Sequence, residues 1–247
     1  MTHNITHMYA IGDSFAFGQG LKGYVPNKDG YYSFNDELKA TVFSGIMSSR
    51  LGIETYTNAA MPGSSNNRTQ RRMITDLAIM MSGGINPENI FAMINITHSA
   101  RTEIFIEDKN IYKQLITNHA PPKDDKPLYT YWETYSTYYD SVIENADRYL
   151  MQILSMQMFL EKHKIKYLMV DSMAEDERFI TFMKNNRRIL SSHINRRTYP
   201  VMKAFHNWVC DQGFQPTPCH HANEDAHVAW AEHLLKYIEQ EKLLESI

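Results

Sequence analysis

The sequence predicts an α/β fold in which a central parallel sheet is covered by helices. Two observations carry this. Short apolar runs alternate with segments of helical spacing, in the order strand–helix–strand–helix–strand, an insertion, then helix–strand–helix–helix. The run Ile90–Ile96 is also apolar almost throughout, as a strand buried on both faces must be.

Taken in order, Met8–Ile11 is a short apolar run stopped by Gly12 and reads as a buried first strand. Residues 36–51 carry Leu38, Val42, Ile46 and Leu51 near helical spacing, with Gly52 placed to end the helix. Ile53–Thr57 is the second strand. Residues 64–81 form a helix with Ile74, Leu77 and Met81 on one face, and Ile90–Ile96 is the third strand. Ser99–Tyr139 is long, irregular and rich in aromatic residues. Val142–His163 is a long amphipathic helix, and Tyr167–Val170 is the fourth strand. Residues 174–192 give no clear assignment, and two helices, 199–212 and 223–244, close the chain. The expected organisation is one domain over 1–247 with an aromatic-rich insertion at about 99–139.

With 247 residues, 43% hydrophobic and 21% charged, the chain has the composition of an ordinary globular protein able to bury a sizeable core. A net charge of −3 gives no electrostatic reason to expect nucleic acid or an acidic membrane as partner. No run of 18 apolar residues is present, so no membrane span is expected. The start, Met1-Thr2-His3-Asn4, lacks a basic stretch followed by an apolar core, so no signal peptide is expected. Cys210 and Cys219 are too few for a disulfide framework. The expected location is the cytoplasm or a virion. The 15 Met residues are expected to fill gaps in the core.

Three segments carry the chemistry, and each follows a strand or precedes the last helix. Gly12-Asp13-Ser14-Phe15 follows the first strand, where a sharp turn would hold the Ser14 hydroxyl and amide at the top of the sheet. Asp and Ser are also preferred helix N-caps, so this tetrapeptide alone does not decide. Asn58-Ala59-Ala60-Met61-Pro62-Gly63-Ser64-Ser65-Asn66 follows the second strand, and Gly63 lets a backbone N–H approach a ligand closely. His221-Ala222-Asn223-Glu224-Asp225-Ala226-His227 precedes the last helix, from where a histidine can swing toward the first strand.

These blocks resemble the SGNH (GDSL-like) hydrolases. The family's first block is matched by Gly12, Asp13, Ser14 and Gly18, its second by Asn58, Ala59, Gly63 and Ser65. Its last is matched by His221, Asn223, Ala226, His227, Trp230, Ala231 and Glu232. The resemblance spans most of the chain outside 99–139. It implies a flavodoxin-like three-layer α/β/α sandwich and a serine hydrolase that needs neither cofactor nor metal. Ser14 would be the nucleophile and His221 its base, with the amides of Ser14 and Gly63 holding the oxyanion.

Two departures from the family pattern are visible. Its third block, Gly-x-Asn-Asp, reads here Ile96-Thr97-His98-Ser99-Ala100-Arg101, so the usual Asn donor is missing. Thr97 is the expected replacement as third oxyanion donor, with Ser99 or Asn95 as alternatives. Such Thr- and Arg-bearing versions resemble phage-associated relatives. The Asp expected three residues before the base is Pro218. His221 must then form a dyad with Ser14, its tautomer fixed by a backbone carbonyl, or borrow a carboxylate from Asp211 or Glu224.

His227, with Ala231, Leu234 and Ile238, lies on the apolar face of the last helix and reads as a packed core histidine. Cys219-His220-His221 with Asp225 or His227 offers zinc-type ligands, at a spacing that matches no metal motif. The rings from Tyr129 to Tyr139 are expected to pack the insertion against the core, with a sugar-stacking platform as the alternative. Arg71-Arg72 and Arg196-Arg197 read as solvated helix surface, and Arg101 and Glu103 as a candidate internal ion pair. The expected function is cleavage of carboxylic esters, with a small ester or an O-acetylated glycan as substrate. The second reading is a non-catalytic carbohydrate-binding or structural protein on a degenerate scaffold of the same kind.

Overall fold

The computed structural model describes residues 3–24, 35–116 and 119–245. Met1 and Thr2, on which the expectation about the leader partly rests, lie outside the described residues.

Four strands, β1 (His7–Ile11), β2 (Thr55–Asn58), β3 (Ile90–Ile96) and β6 (Lys166–Asp171), form one parallel sheet in the order β2-β1-β3-β6. Side chains alternate across it and build two cores. Met8, Ala10, Phe91, Met93, Leu168 and Val170 face one side, under helices α2 (Asp36–Thr41), α3 (Phe43–Arg50), α9 (Phe205–Asp211) and α10 (Glu224–Gln240). Tyr9, Ile11, Ala92, Ile94, Tyr167 and Met169 face the other, under α4 (Asn66–Ser82), α6 (Val142–Lys162) and α7 (Glu177–Asn186). This is the expected three-layer α/β/α sandwich, and it explains why the central strands are apolar without alternation. Among the described residues no helix is long and apolar enough to cross a membrane.

The structure differs from expectation in four places. The helix over 36–51 is two helices that break at Val42, whose backbone is extended. The turn brings the two so close that a Cβ on Gly45 would lie 2.0 Å from the Lys39 carbonyl oxygen. The irregular 99–139 segment contains an antiparallel hairpin, β4 (Arg101–Ile106) and β5 (Ile111–Ile116), then α5 (Lys126–Thr134) and a π-helical turn over Tyr135–Tyr139. Its small core is Leu115, Leu128 and Tyr135, with Trp132 packed on them and its indole N–H donating to the Ile116 carbonyl at 3.1 Å. Those aromatic rings hold the insertion together, while Tyr131 and Tyr138 remain exposed. The undecided 174–192 stretch forms α7, capped by the Asp176 carboxylate on the Phe179 N–H at 2.7 Å, and α8 (Arg188–Ser192). The helix expected from 199 begins only at Phe205, after the Tyr199-Pro200 step; the residue before a proline is held away from helical geometry.

Candidate active site

The carboxyl ends of the four parallel strands share one edge of the sheet. From β1 the chain passes to β2 on one flank, and from β3 to β6 on the other. The crevice between β1 and β3 is therefore the topological switch point, where open α/β sheets bind ligands.

Gly12 ends β1 with φ +152, and a Cβ there would lie 2.5 Å from the Asn95 Cβ on β3, so only glycine fits. Asp13 is fully buried and caps the short helix α1 (Ser14–Phe17) by accepting from the Phe15 N–H at 3.1 Å. Its other oxygen, Oδ2, accepts from the Thr97 hydroxyl at 2.9 Å and faces Arg101 Nη1 at 3.4 Å. Ser14 is 5% exposed. Among the described residues neither its hydroxyl nor its N–H forms a hydrogen bond.

The turn after β2 is fastened to the first. Asn58 donates from Nδ2 to the Ala16 carbonyl at 3.0 Å and accepts from the Ala60 N–H at 3.0 Å. The Met61 N–H donates to the Gly12 carbonyl at 3.1 Å. Gly63 has φ +75 with open space beside its Cα, and its N–H has no acceptor among the described residues. Two uncommitted amides thus stand on two turns held together by backbone bonds.

The turn after β3 is fixed by a residue whose role the sequence reading missed. Asn66, buried at the start of α4, donates from Nδ2 to the Thr97 carbonyl at 2.8 Å and accepts from the Thr97 N–H at 2.9 Å. The Thr97 hydroxyl, expected as an oxyanion donor, instead directs its one proton to Asp13. Asn95 donates to the Ser172 hydroxyl at 3.2 Å. Ser99 gives both its N–H, at 2.6 Å, and its hydroxyl, at 2.8 Å, to Glu175. Burial pushes the Glu175 carboxyl up to about 7 against the pull of the Ser99 bonds. His98 Nε2 lies 3.5 Å from the same carboxyl.

His221 stands on the loop before α10. Its ring centroid is 5.0 Å from that of Phe15, the residue after Ser14. Its Nδ1 is 2.9 Å from the Cys219 carbonyl oxygen. A carbonyl only accepts, so the proton sits on Nδ1 and Nε2 keeps its lone pair. The loop is closed by Thr217, whose N–H donates to the His221 carbonyl at 2.8 Å and whose hydroxyl accepts from the His221 N–H at 3.2 Å. Desolvation lowers the imidazole below its ordinary value, opposed by the Cys219 bond and the Asp13 charge. His221 and Ser14 do not hydrogen bond to each other. Neither candidate carboxylate reaches the ring: Asp211 pairs with Lys203, and Glu224 accepts from the Lys22 N–H at 3.2 Å.

His227 is a core residue. It is 1% exposed, stacks on Phe43, accepts from the Phe43 N–H at 3.2 Å and is pushed down to about 3 by burial. Among the described residues no group of three or more His, Cys, Asp or Glu side chains is placed to hold a metal. The ion-pair expectations are corrected. Arg101 faces Asp13, while Glu103 binds Arg71 through two bonds, 3.0 and 2.9 Å. Arg71 also lies over the Tyr112 ring at 3.7 Å and is half-buried, while Arg72, Arg196 and Arg197 are exposed, Arg197 donating to the Glu241 carbonyl at 3.1 Å.

The sheet order and the two cores make this a three-layer α/β/α sandwich, a fold shared with several solved esterases. The esterase EstA from Pseudoalteromonas sp. superposes with a TM-score of 0.51 at 9% identity, over 95% of this chain and 97% of that one. A variant of Axe2, an acetyl-xylooligosaccharide esterase from Geobacillus, gives 0.50 at 13% identity over 94% of both chains. TesA gives 0.50 at 11% identity, over 95% of this chain and 99% of that one. Each is a likeness of fold. The chain belongs to DUF6071, described as a family of unknown function, whose model matches residues 25–207. No curated protein matches the chain.

Proposed function

We propose that this chain is a serine esterase that cleaves carboxylic esters with a Ser14–His221 dyad. The observation that carries the reading is the Nδ1 bond of His221 to the Cys219 carbonyl at 2.9 Å. It does the work that the carboxylate does in a triad, fixing the tautomer with Nε2 free, on a ring beside Phe15. His221 removes the Ser14 proton as Oγ attacks the acyl carbon. The carbonyl electrons move to oxygen, which the Ser14 and Gly63 amides hold. Collapse expels the alcohol, protonated by His221, and water then releases the acid by the same route. A hydroxyl free of other partners and an imidazole kept neutral by burial both suit this cycle. The likeness to an acetyl-xylooligosaccharide esterase, and an aromatic insertion that follows β3 directly, favour O-acetyl groups on a glycan as substrate class.

The test is hydrolysis of 4-nitrophenyl acetate and of an acetylated oligosaccharide by the wild type, Ser14→Ala and His221→Ala. Activity in the wild type, abolished in both variants, is expected. Activity that survives Ser14→Ala removes the nucleophile, and no activity with retained glycan binding favours a non-catalytic carbohydrate binder.

A further inference from the structure

In the esterase reading the Ser14 and Gly63 amides are two oxyanion donors, and the side chains at the end of β3 supply no third. At the end of β3 the polar side chains of Asn95, Thr97 and Ser99 are each committed elsewhere, to Ser172, Asp13 and Glu175. The next residue with donors is Arg101, the first of β4. Its side chain is 14% exposed, so its charge is largely withdrawn from water. Its contacts are loose: Nη1 lies 3.4 Å from Asp13 Oδ2, and Nη2 is 3.3 Å from the Met173 thioether, a weak acceptor. Asp13 does not depend on it, because its oxygens already accept from the Phe15 N–H at 3.1 Å and the Thr97 hydroxyl at 2.9 Å. The remaining N–H groups of Arg101 have no acceptor among the described residues. Arg101 is half-buried and none of its unpartnered nitrogens is cut off from solvent, so the unused donors are open to an anion that enters the crevice.

The guanidinium spans the switch-point crevice, from Asp13, which precedes Ser14 in the chain, to Met173 beyond β6. Its charge also bears on the His221 ring, lowering its affinity for a proton. Resting on the esterase reading, we propose that Arg101 is a catalytic residue supplying the third oxyanion donor. Asp13 holds one edge of the guanidinium, and the free N–H groups bind the tetrahedral oxygen beside the amides of Ser14 and Gly63. As Oγ bonds to the acyl carbon and the carbonyl electrons move to oxygen, the new charge meets a cation in a low-dielectric site. The chemistry selects an oxygen that becomes anionic in the transition state, so the substrate itself can be neutral.

The experiment compares wild type, Ser14→Ala, Arg101→Ala and Arg101→Lys on a neutral ester, 4-nitrophenyl acetate, and an anionic one, 4-nitrophenyl hemisuccinate. Arg101→Ala is expected to lose about 10²–10³ in kcat on both esters with little change in KM. Added ethylguanidinium should restore part of the rate, which a merely structural role does not allow. If Arg101→Ala does not fold, Arg101→Lys keeps a charge beside Asp13 and carries the same comparison at unchanged melting temperature. Retention of kcat within about fivefold, with Ser14→Ala inactive, overturns the role of Arg101 and leaves the esterase reading standing. A loss confined to KM for the hemisuccinate assigns Arg101 to a substrate carboxylate and overturns it as well. A wild type without activity, or an active Ser14→Ala, removes both readings together.

Discussion

Asn66 joins the second and third turns of the site, and its removal has a magnitude that follows from its two bonds. Its side chain donates to the Thr97 carbonyl at 2.8 Å and accepts from the Thr97 N–H at 2.9 Å, and both residues are about 2% exposed. Asn66→Ala leaves a buried N–H and a buried carbonyl unpaired. Each such group costs about 1–3 kcal/mol, so a loss of about 2–6 kcal/mol is expected, toward the lower end if water enters. Asn66→Asp keeps the volume and the acceptor for the N–H but sets a carboxylate oxygen against the Thr97 carbonyl. It should therefore destabilise the protein at pH 7 although it is nearly isosteric. At acid pH the introduced carboxyl takes up a proton and regains a donor, so the gap to wild type should shrink. Urea unfolding followed by circular dichroism at pH 7 and pH 5 measures both variants, with an unchanged m-value confirming the same transition. An Asn66→Ala loss below about 1 kcal/mol, or a wild-type stability for Asn66→Asp at pH 7, would show that the clamp is not what fixes this turn.

Three further outcomes follow from the site. Because burial lowers His221, kcat/KM should rise with pH through an apparent pKa below the ordinary histidine value and stay flat above it; a rise centred above that value would contradict the neutral base. Glu175 is raised from 4.5 to about 7, so the native state holds its proton more tightly than the unfolded chain. Its contribution is complete below about pH 4.5 and is lost as pH rises through about 7, a change of about 3 kcal/mol. The wild-type stability measured against Glu175→Gln should decline between pH 5 and 7.5, and a flat difference would refute the assignment. Gly12→Ala places a Cβ 2.5 Å from the Asn95 Cβ at φ +152, forcing β1 and β3 apart at the turn that carries Ser14. A loss of activity of at least about tenfold, with a lowered melting temperature, is expected in the ester assay.

Much of this molecule is legible in its sequence because the signals are local. Apolar runs place β1, β3 and β6, since a strand buried on both faces needs apolar residues at nearly every position, and helical spacing places the long helices. The glycines and caps mark the turns at strand ends, because a positive φ or a close approach admits few residue types. His227 is readable as core from its place in an apolar helical face. The hairpin of β4 and β5 is less legible, as its pairing is set by its partner strand and by packing against α4. The site's inner wiring is the least legible. Whether Arg101 meets Glu103 or Asp13, and whether Thr97 points to a ligand or to Asp13, depends on β3 lying between β1 and β6. Hydrogen-bond partners separated by some 80 residues leave no spacing pattern, so only the tertiary structure chooses among them. The sequence by itself determined the scaffold and the three blocks that meet on it. The tertiary structure decided that a carbonyl orients His221, and that Arg101 is left with donors to spare.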